Sequence, residues 1–207
     1  MFCPIRKIIL THPPKCGGTS LENFLGFKND GEHAFLYKHA SLIGHIDAIK
    51  KINCNPDDFV KISIIRNPWD RMVSWYFHLR EKASLAEKSG NLKNKIQNAA
   101  YQFGFNEFIH YIDKFNIEIF HRDFPYYMFG ESNTFEIDFV IRYENYKTDF
   151  LKCLEILKIP PISTNLIPLK NQGLIRSSDY KKYYGEESRQ IITKIYNKDI
   201  DFFNYIF

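Results

Sequence analysis

Twice in this chain a short apolar run rich in β-branched residues passes almost directly into a helix start. Ile8-Ile9-Leu10-Thr11 is followed by His12-Pro13-Pro14-Lys15-Cys16-Gly17-Gly18 and then by helix-like spacing at Leu21, Phe24 and Leu25. Phe59-Val60-Lys61-Ile62-Ser63-Ile64-Ile65 is followed at once by Arg66-Asn67-Pro68. There Asn67 suits an N-cap, Pro68 the first helical position, and Asp70 the positive end of a helix. Met72, Trp75, Tyr76 and Leu79 then fall at i, i+3, i+4 and i+7, which is one apolar helix face. A strand that hands over to a helix at its carboxyl end, repeated in one chain, demands βα units and a parallel sheet.

The remaining pattern fits that frame. Residues 6–11 and 59–65 predict strands, and residues 137–141 (IDFVI) a third. Helices are predicted over 105–115 and 146–157, with an amphipathic, aromatic tail over 186–207. Residues 81–101 are polar and lysine-bearing, which suits a solvated helix, a surface excursion or a lid. Pro160-Pro161 and residues 165–178 read as loop. The expected fold class is three-layer α/β, with a central parallel sheet flanked by helices. The 207 residues suit a single domain spanning 1–207, with residues 81–134 as a variable acceptor-site or lid region.

Composition narrows the functional classes. Hydrophobic residues at 44% and charged residues at 25% exclude a disordered or fibrous chain. The net charge of +4 is too mild for a nucleic-acid binder, yet it suits an anionic ligand. No apolar run reaches the roughly 18 residues that a bilayer span needs, and Arg6 and Lys7 stand where a signal core would begin. Four cysteines without CxxC spacing read as free thiols in a reducing compartment. The expectation is a cytoplasmic protein.

Two segments carry chemistry. Pro14-Lys15-Cys16-Gly17-Gly18-Thr19-Ser20 joins a strand to a helix, where backbone N–H groups lack partners and attract an anion. Gly17 and Gly18 permit a close approach, Lys15 adds a full charge, and Thr19 and Ser20 add hydroxyl donors. It is not a Walker A loop, because the lysine precedes the glycines. In Arg66-Asn67-Pro68-Trp69-Asp70-Arg71-Met72-Val73-Ser74, a guanidinium at a strand end and a hydroxyl two turns into the next helix suit a phosphate monoester. Ligands of open α/β sheets bind beyond the carboxyl ends of the strands, so both segments would face one crevice.

Together the two segments resemble the sulfotransferases that use 3′-phosphoadenosine 5′-phosphosulfate (PAPS), above all the heparan, dermatan and chondroitin branch and its small bacterial relatives. The PKCGGTS loop is similar to that family's 5′-phosphosulfate loop and RNPWDRMVSWY to its 3′-phosphate motif. DFVIRYEN and the tail from Tyr183 to Phe207 resemble the same branch, while residues 81–134 match weakly. The resemblance implies that Lys15, Cys16, Gly17, Gly18, Thr19 and Ser20 hold the phosphosulfate. Arg66 and Ser74 would hold the 3′-phosphate, and Arg176 would contact the nucleotide from a covering loop. Cys16 stands where threonine or serine is more usual. The resemblance also implies that the three-layer α/β fold is a P-loop nucleotide-hydrolase-like domain, and it implies no metal. The acceptor would be a glycan or a small hydroxylated metabolite, in a bacterial cytoplasm.

The implied reaction moves a sulfuryl group to a hydroxyl or amine. Lys15 would neutralise charge growing on the departing phosphate oxygen. A hydroxyl acceptor needs a base, and His39 in Tyr37-Lys38-His39 resembles the KH segment of the carbohydrate branch. His45 is the second choice and Glu22 the third. His12, His33, His78, His110 and His121 read as structural. Two further readings stand beside this one: a P-loop kinase-like phosphotransferase, and a non-catalytic binder of nucleotide or polyanion with the same fold.

Overall fold

In a computed structural model the described residues are 1–27, 39–89, 94–160, 162–163 and 179–207. They group into two compact units, Met1–Arg66 with Phe124–Lys170, and Asn67–Asp123 with Asn171–Phe207.

The first unit holds the sheet. Among the described residues its strands are β1 (Phe2–Cys3), β2 (Ile8–Thr11), β3 (Val60–Ile65) and β4 (Phe139–Arg142), in the order β1-β2-β3-β4. The pairs β2–β3 and β3–β4 are parallel, as the handover pattern requires. The expectation of a parallel sheet needs one correction, because β1 runs antiparallel to β2 at the edge. Phe2-Cys3 is too short to register as a strand in the sequence. The turn that returns it to β2 is closed by Lys7, a non-glycine residue at φ 54°. The register of β3 on β4 is clamped by Asp138, whose N–H donates to the Lys61 carbonyl at 2.9 Å and whose carboxylate accepts from the Lys61 N–H at 2.7 Å.

Alternate residues of β2 are all buried, so both faces of the sheet are covered. On one face Ile8, Leu10, Ile62, Ile64 and Ile141 pack with Leu21 of α1 (Gly18–Phe24) and with Phe150, Cys153 and Leu154 of α8 (Tyr146–Ile156). Burial pushes the Cys153 thiol up to about 12, which marks it as core filling rather than a nucleophile. The other face carries Ile9 and its register partner Phe2, whose ring meets His45 of α2 (Leu42–Lys51) edge-on. Helix, sheet and helix therefore form three layers within this unit.

The second unit is helical and strongly aromatic. Its longest element, α3 (Pro68–Lys88), starts as expected: the Asn67 side chain accepts from the N–H groups of Trp69 and Asp70 at 3.0 and 3.3 Å. The remaining helices are α4 (Lys95–Gln102), α5 (Phe105–Lys114), α6 (Glu118–His121), α9 (Glu186–Ile195) and α10 (Asn197–Phe203), whereas α7 (Phe124–Met128) belongs to the first unit. Trp69, Met72, Trp75 and Tyr76 bury the predicted face of α3 against Phe105, Phe108, Ile109, Ile192 and Tyr196. Buried Arg71 lies over the Tyr196 ring at 4.3 Å with Asp199 at 3.9 Å, so its charge is matched where water cannot reach. The polar stretch 81–101 is mainly helix, the end of α3 and most of α4. Among the described residues no helix is long and apolar enough to cross a membrane.

His45 generates a pH prediction. Burial, then the Met1 amino group at 2.9 Å, then His12 hold its pKa well below the ordinary value of 6.5. A base depressed in the folded state binds its proton more readily when unfolded, so stability is lost as pH falls below 6.5. The Met1 amino group, itself lowered by burial from 8.0 to about 5, acts with the same sign. Urea unfolding between pH 8 and pH 5 is expected to show declining stability toward acid, with a shallower slope in His45→Gln.

Candidate functional site

The loop between β2 and α1 departs from ordinary backbone. Lys15 has φ 69° and Gly17 φ 89°, both left-handed, while Cys16 between them does not. A nest, the concave run of N–H groups that suits an anion, is built on backbone of alternating hand, and the sign of φ alternates across Lys15, Cys16 and Gly17. The Cys16 side chain is fully buried in the core beneath, and its thiol faces the Pro14 carbonyl at 3.9 Å. What Cys16 offers an anion is therefore its backbone N–H. Thr19 is half-buried, and Ser20 is buried with its hydroxyl against the Tyr146 phenol, which burial raises above its ordinary range.

The loop rests on a histidine. A Cβ on Gly18 would stand 2.2–2.3 Å from the His12 ring, so the ring occupies the space that any other residue at position 18 would need. His12 Nδ1 lies 3.1 Å from the Pro13 carbonyl and Nε2 lies 2.8 Å from Glu22 Oε1. A carbonyl only accepts, so Nδ1 carries a hydrogen and donates it. One further proton then sits between Nε2 and the Glu22 carboxylate. Whichever atom holds it, the pair is neutral overall, which lets two ionisable groups at 2% and 0% exposure coexist in the core. His12, read as structural, is thus the support of the anion loop.

His39 docks on the same residue. Its Nδ1 donates to the His12 carbonyl at 3.1 Å, and the two rings meet edge-to-face at 4.7 Å. Because the carbonyl claims the Nδ1 hydrogen, neutral His39 presents its lone pair at Nε2. His39 keeps partial exposure, whereas His45 and Glu22 are fully buried.

Arg66 closes the site from β3. It is 4% exposed, its Nη1 donates to the Lys15 carbonyl at 3.0 Å, and its guanidinium lies 4.0 Å from the centre of the Tyr143 ring. The two strand-end segments singled out in the sequence, the lysine loop and the arginine, are therefore in direct contact. Ser74 is half-buried on α3 in the second unit. Arg176 lies outside the described residues. Among the described residues no group of three or more His, Cys, Asp or Glu is placed to hold a metal ion.

A model of the sulfotransferase family matches residues 1–206. The chain belongs to the sulfotransferase family. No curated protein matches it significantly. Among solved structures, the mouse sulfotransferase SULT7A1 complexed with PAP aligns with 97% of this chain and 86% of its own at 14% identity and a TM-score of 0.49. A sulfotransferase from Alicyclobacillus acidocaldarius aligns with 94% of this chain and 92% of its own at 15% identity and a TM-score of 0.36. Membership makes sulfuryl transfer the chemistry that the residues around the loop have to serve.

Two residues packed against this loop were given no part in it by sequence reasoning, which read His12 only as structural and did not single out Tyr143. His12 carried a signal, since a histidine directly after the strand adjoins the motif itself. Tyr143 lies in the DFVIRYEN segment that resembles the family, but the order of residues did not place it beside Gly17 and Arg66, which are far from it in the chain.

The support generates a prediction. Gly18→Ala drives a Cβ into a ring held from both sides, and is expected to destabilise by about 2–3 kcal/mol, in the range of core overpacking. Gly26 is left-handed at φ 76° with open space around it. Gly26→Ala is expected to cost only about 1 kcal/mol of backbone strain. Equal losses in urea unfolding would contradict the assigned role of the His12 ring.

Proposed function

We propose that this protein transfers a sulfuryl group from PAPS to a hydroxyl of a carbohydrate or a related hydroxylated acceptor. The observation that carries the reading is the hydrogen bond from Arg66 to the Lys15 carbonyl, which unites two cationic strand ends at one anion-binding loop. PAPS bears negative charge at both the 5′-phosphosulfate and the 3′-phosphate. The donor set fits such a molecule: a nest of N–H groups, a lysine, the Thr19 hydroxyl and an arginine.

The loop of Lys15, Gly17, Gly18 and Thr19, with the backbone of Cys16 and Ser20, holds the 5′-phosphosulfate. Arg66 takes the 3′-phosphate, which sets PAPS apart from ATP. The parts of Ser74 and Arg176 in holding the nucleotide rest on the sequence motifs alone. The acceptor oxygen attacks sulfur, the bond from sulfur to the 5′-phosphate oxygen breaks, and adenosine 3′,5′-bisphosphate (PAP) leaves with the bonding electrons. Lys15 offsets the charge that grows on that oxygen. The acceptor proton passes to Nε2 of His39, the lone-pair nitrogen of a ring whose tautomer the His12 carbonyl sets. The carbohydrate acceptor rests on the resemblance of the motifs to the heparan, dermatan and chondroitin branch.

Transfer of radiolabelled sulfate from PAPS to a panel of glycans tests the activity. His39→Ala is expected to keep PAP affinity within about twofold and to lower kcat by a factor of about 10²–10⁴, the usual contribution of a general base. Lys15→Ala is expected to weaken both PAP binding and turnover. Full turnover by His39→Ala would remove the base assignment and leave the donor site standing. Stabilisation by ATP with magnesium but not by PAP, read as a shift in Tm, would instead favour a kinase-like phosphotransferase.

A further inference from the structure

Tyr143 opens the short 3₁₀ turn Tyr143–Asn145 directly after β4. The turn is pinned on both sides: the Arg142 N–H donates to the Asp149 carboxylate at 3.0 Å, and the Tyr143 carbonyl accepts from the Tyr146 N–H. From this anchored position one ring serves two neighbours. Its face lies under the Arg66 guanidinium, 4.0 Å from the ring centre. Its edge closes on the anion loop, where a Cβ on Gly17 would stand 3.1 and 3.2 Å from two ring carbons. Gly17 is thereby required twice, for its left-handed backbone at φ 89° and for the closeness of the ring.

We propose that Tyr143 is a positioning residue for the donor, setting the plane of the Arg66 guanidinium against the anion loop. The inference rests on the donor reading given above. A guanidinium stacks flat on an aromatic face, and a ring held by backbone bonds leaves it one plane to adopt. The bond from Nη1 to the Lys15 carbonyl then fixes the rotation within that plane. Ring face and carbonyl together restrain a long side chain before the donor arrives, so less freedom is lost on binding. The phenol oxygen plays no part in this geometry. Phenylalanine is accordingly an adequate replacement, and an aliphatic residue is not.

Calorimetric titration with PAP tests the assignment on four full-length variants. Tyr143→Phe is expected within about twofold of the unaltered protein, and Tyr143→Leu about tenfold weaker, the size of a partly desolvated cation–π contact. Arg66→Ala is expected to weaken PAP by more than either. Arg66→Ala combined with Tyr143→Leu is expected to lose clearly less than the sum of the two single losses, because the ring acts mainly through the guanidinium. Losses that add in the double variant, or equal losses in the Phe and Leu variants, overturn the inference. PAP affinity unchanged in Arg66→Ala strikes at the donor reading itself. A weakened Arg66→Ala beside an intact Tyr143→Leu overturns the positioning role alone. Should Tyr143→Leu fail to fold, the Arg66 Nε–H resonance of the unaltered protein decides. It is expected upfield of an ordinary arginine by ring-current shift, and an ordinary position overturns the inference.

Discussion

The parallel register of β2, β3 and β4 is the constraint on which the site depends. Thr11 pairs with Ser63, and Ile65 with Arg142, so three strands reach the same edge of the sheet within a residue or two of one another. What each chain segment does next then happens in one place. β2 runs into the lysine loop, β3 ends at Arg66, and β4 turns at Tyr143. A slip of one residue in β3 would carry its apolar residues to the opposite face and take Arg66 away from the Lys15 carbonyl. The clamp between Asp138 and Lys61 opposes such a slip at the far end of the same strands.

At that edge the protein accepts unfavourable local structure in exchange for a focused set of donors. A non-glycine residue in the left-handed region, at Lys15, costs on the order of 1–2 kcal/mol. A histidine and a glutamate are buried together under the loop. Each departure is offset by a specific neighbour. The Lys15 carbonyl is bonded by Arg66, the His12 ring is bonded at both nitrogens, and Gly17 and Gly18 leave room for the rings of Tyr143 and His12. The loop is therefore held in shape by the side chains of Arg66, His12 and Tyr143 packed around it.

Much of this was legible from residue order. The strands at 8–11 and 60–65 announce themselves through β-branched runs, and Asn67-Pro68 marks a helix start that local hydrogen bonding alone explains. The loop chemistry also lies within a dozen consecutive residues. The edge strand Phe2–Cys3 was not legible, because two residues carry no alternation and the strand exists only through its pairing with β2. Nor could hydropathy distinguish the histidines. His12, His39 and His45 look alike as letters, yet one lies beneath the loop beside a glutamate, one donates to a carbonyl, and one is buried against an amino group.

The sequence by itself determined the α/β class, the lysine-glycine loop after the first long strand, the arginine at the second strand end and the family to which they point, because each is written in neighbouring residues whose torsions and bonds are local. Tertiary structure alone decided which ring lies under Arg66, which carboxylate shares a proton with His12, and which nitrogen of His39 holds a lone pair. Those outcomes depend on strands that pair across long stretches of chain. Only their register brings Tyr143, Gly17 and Arg66 within van der Waals reach.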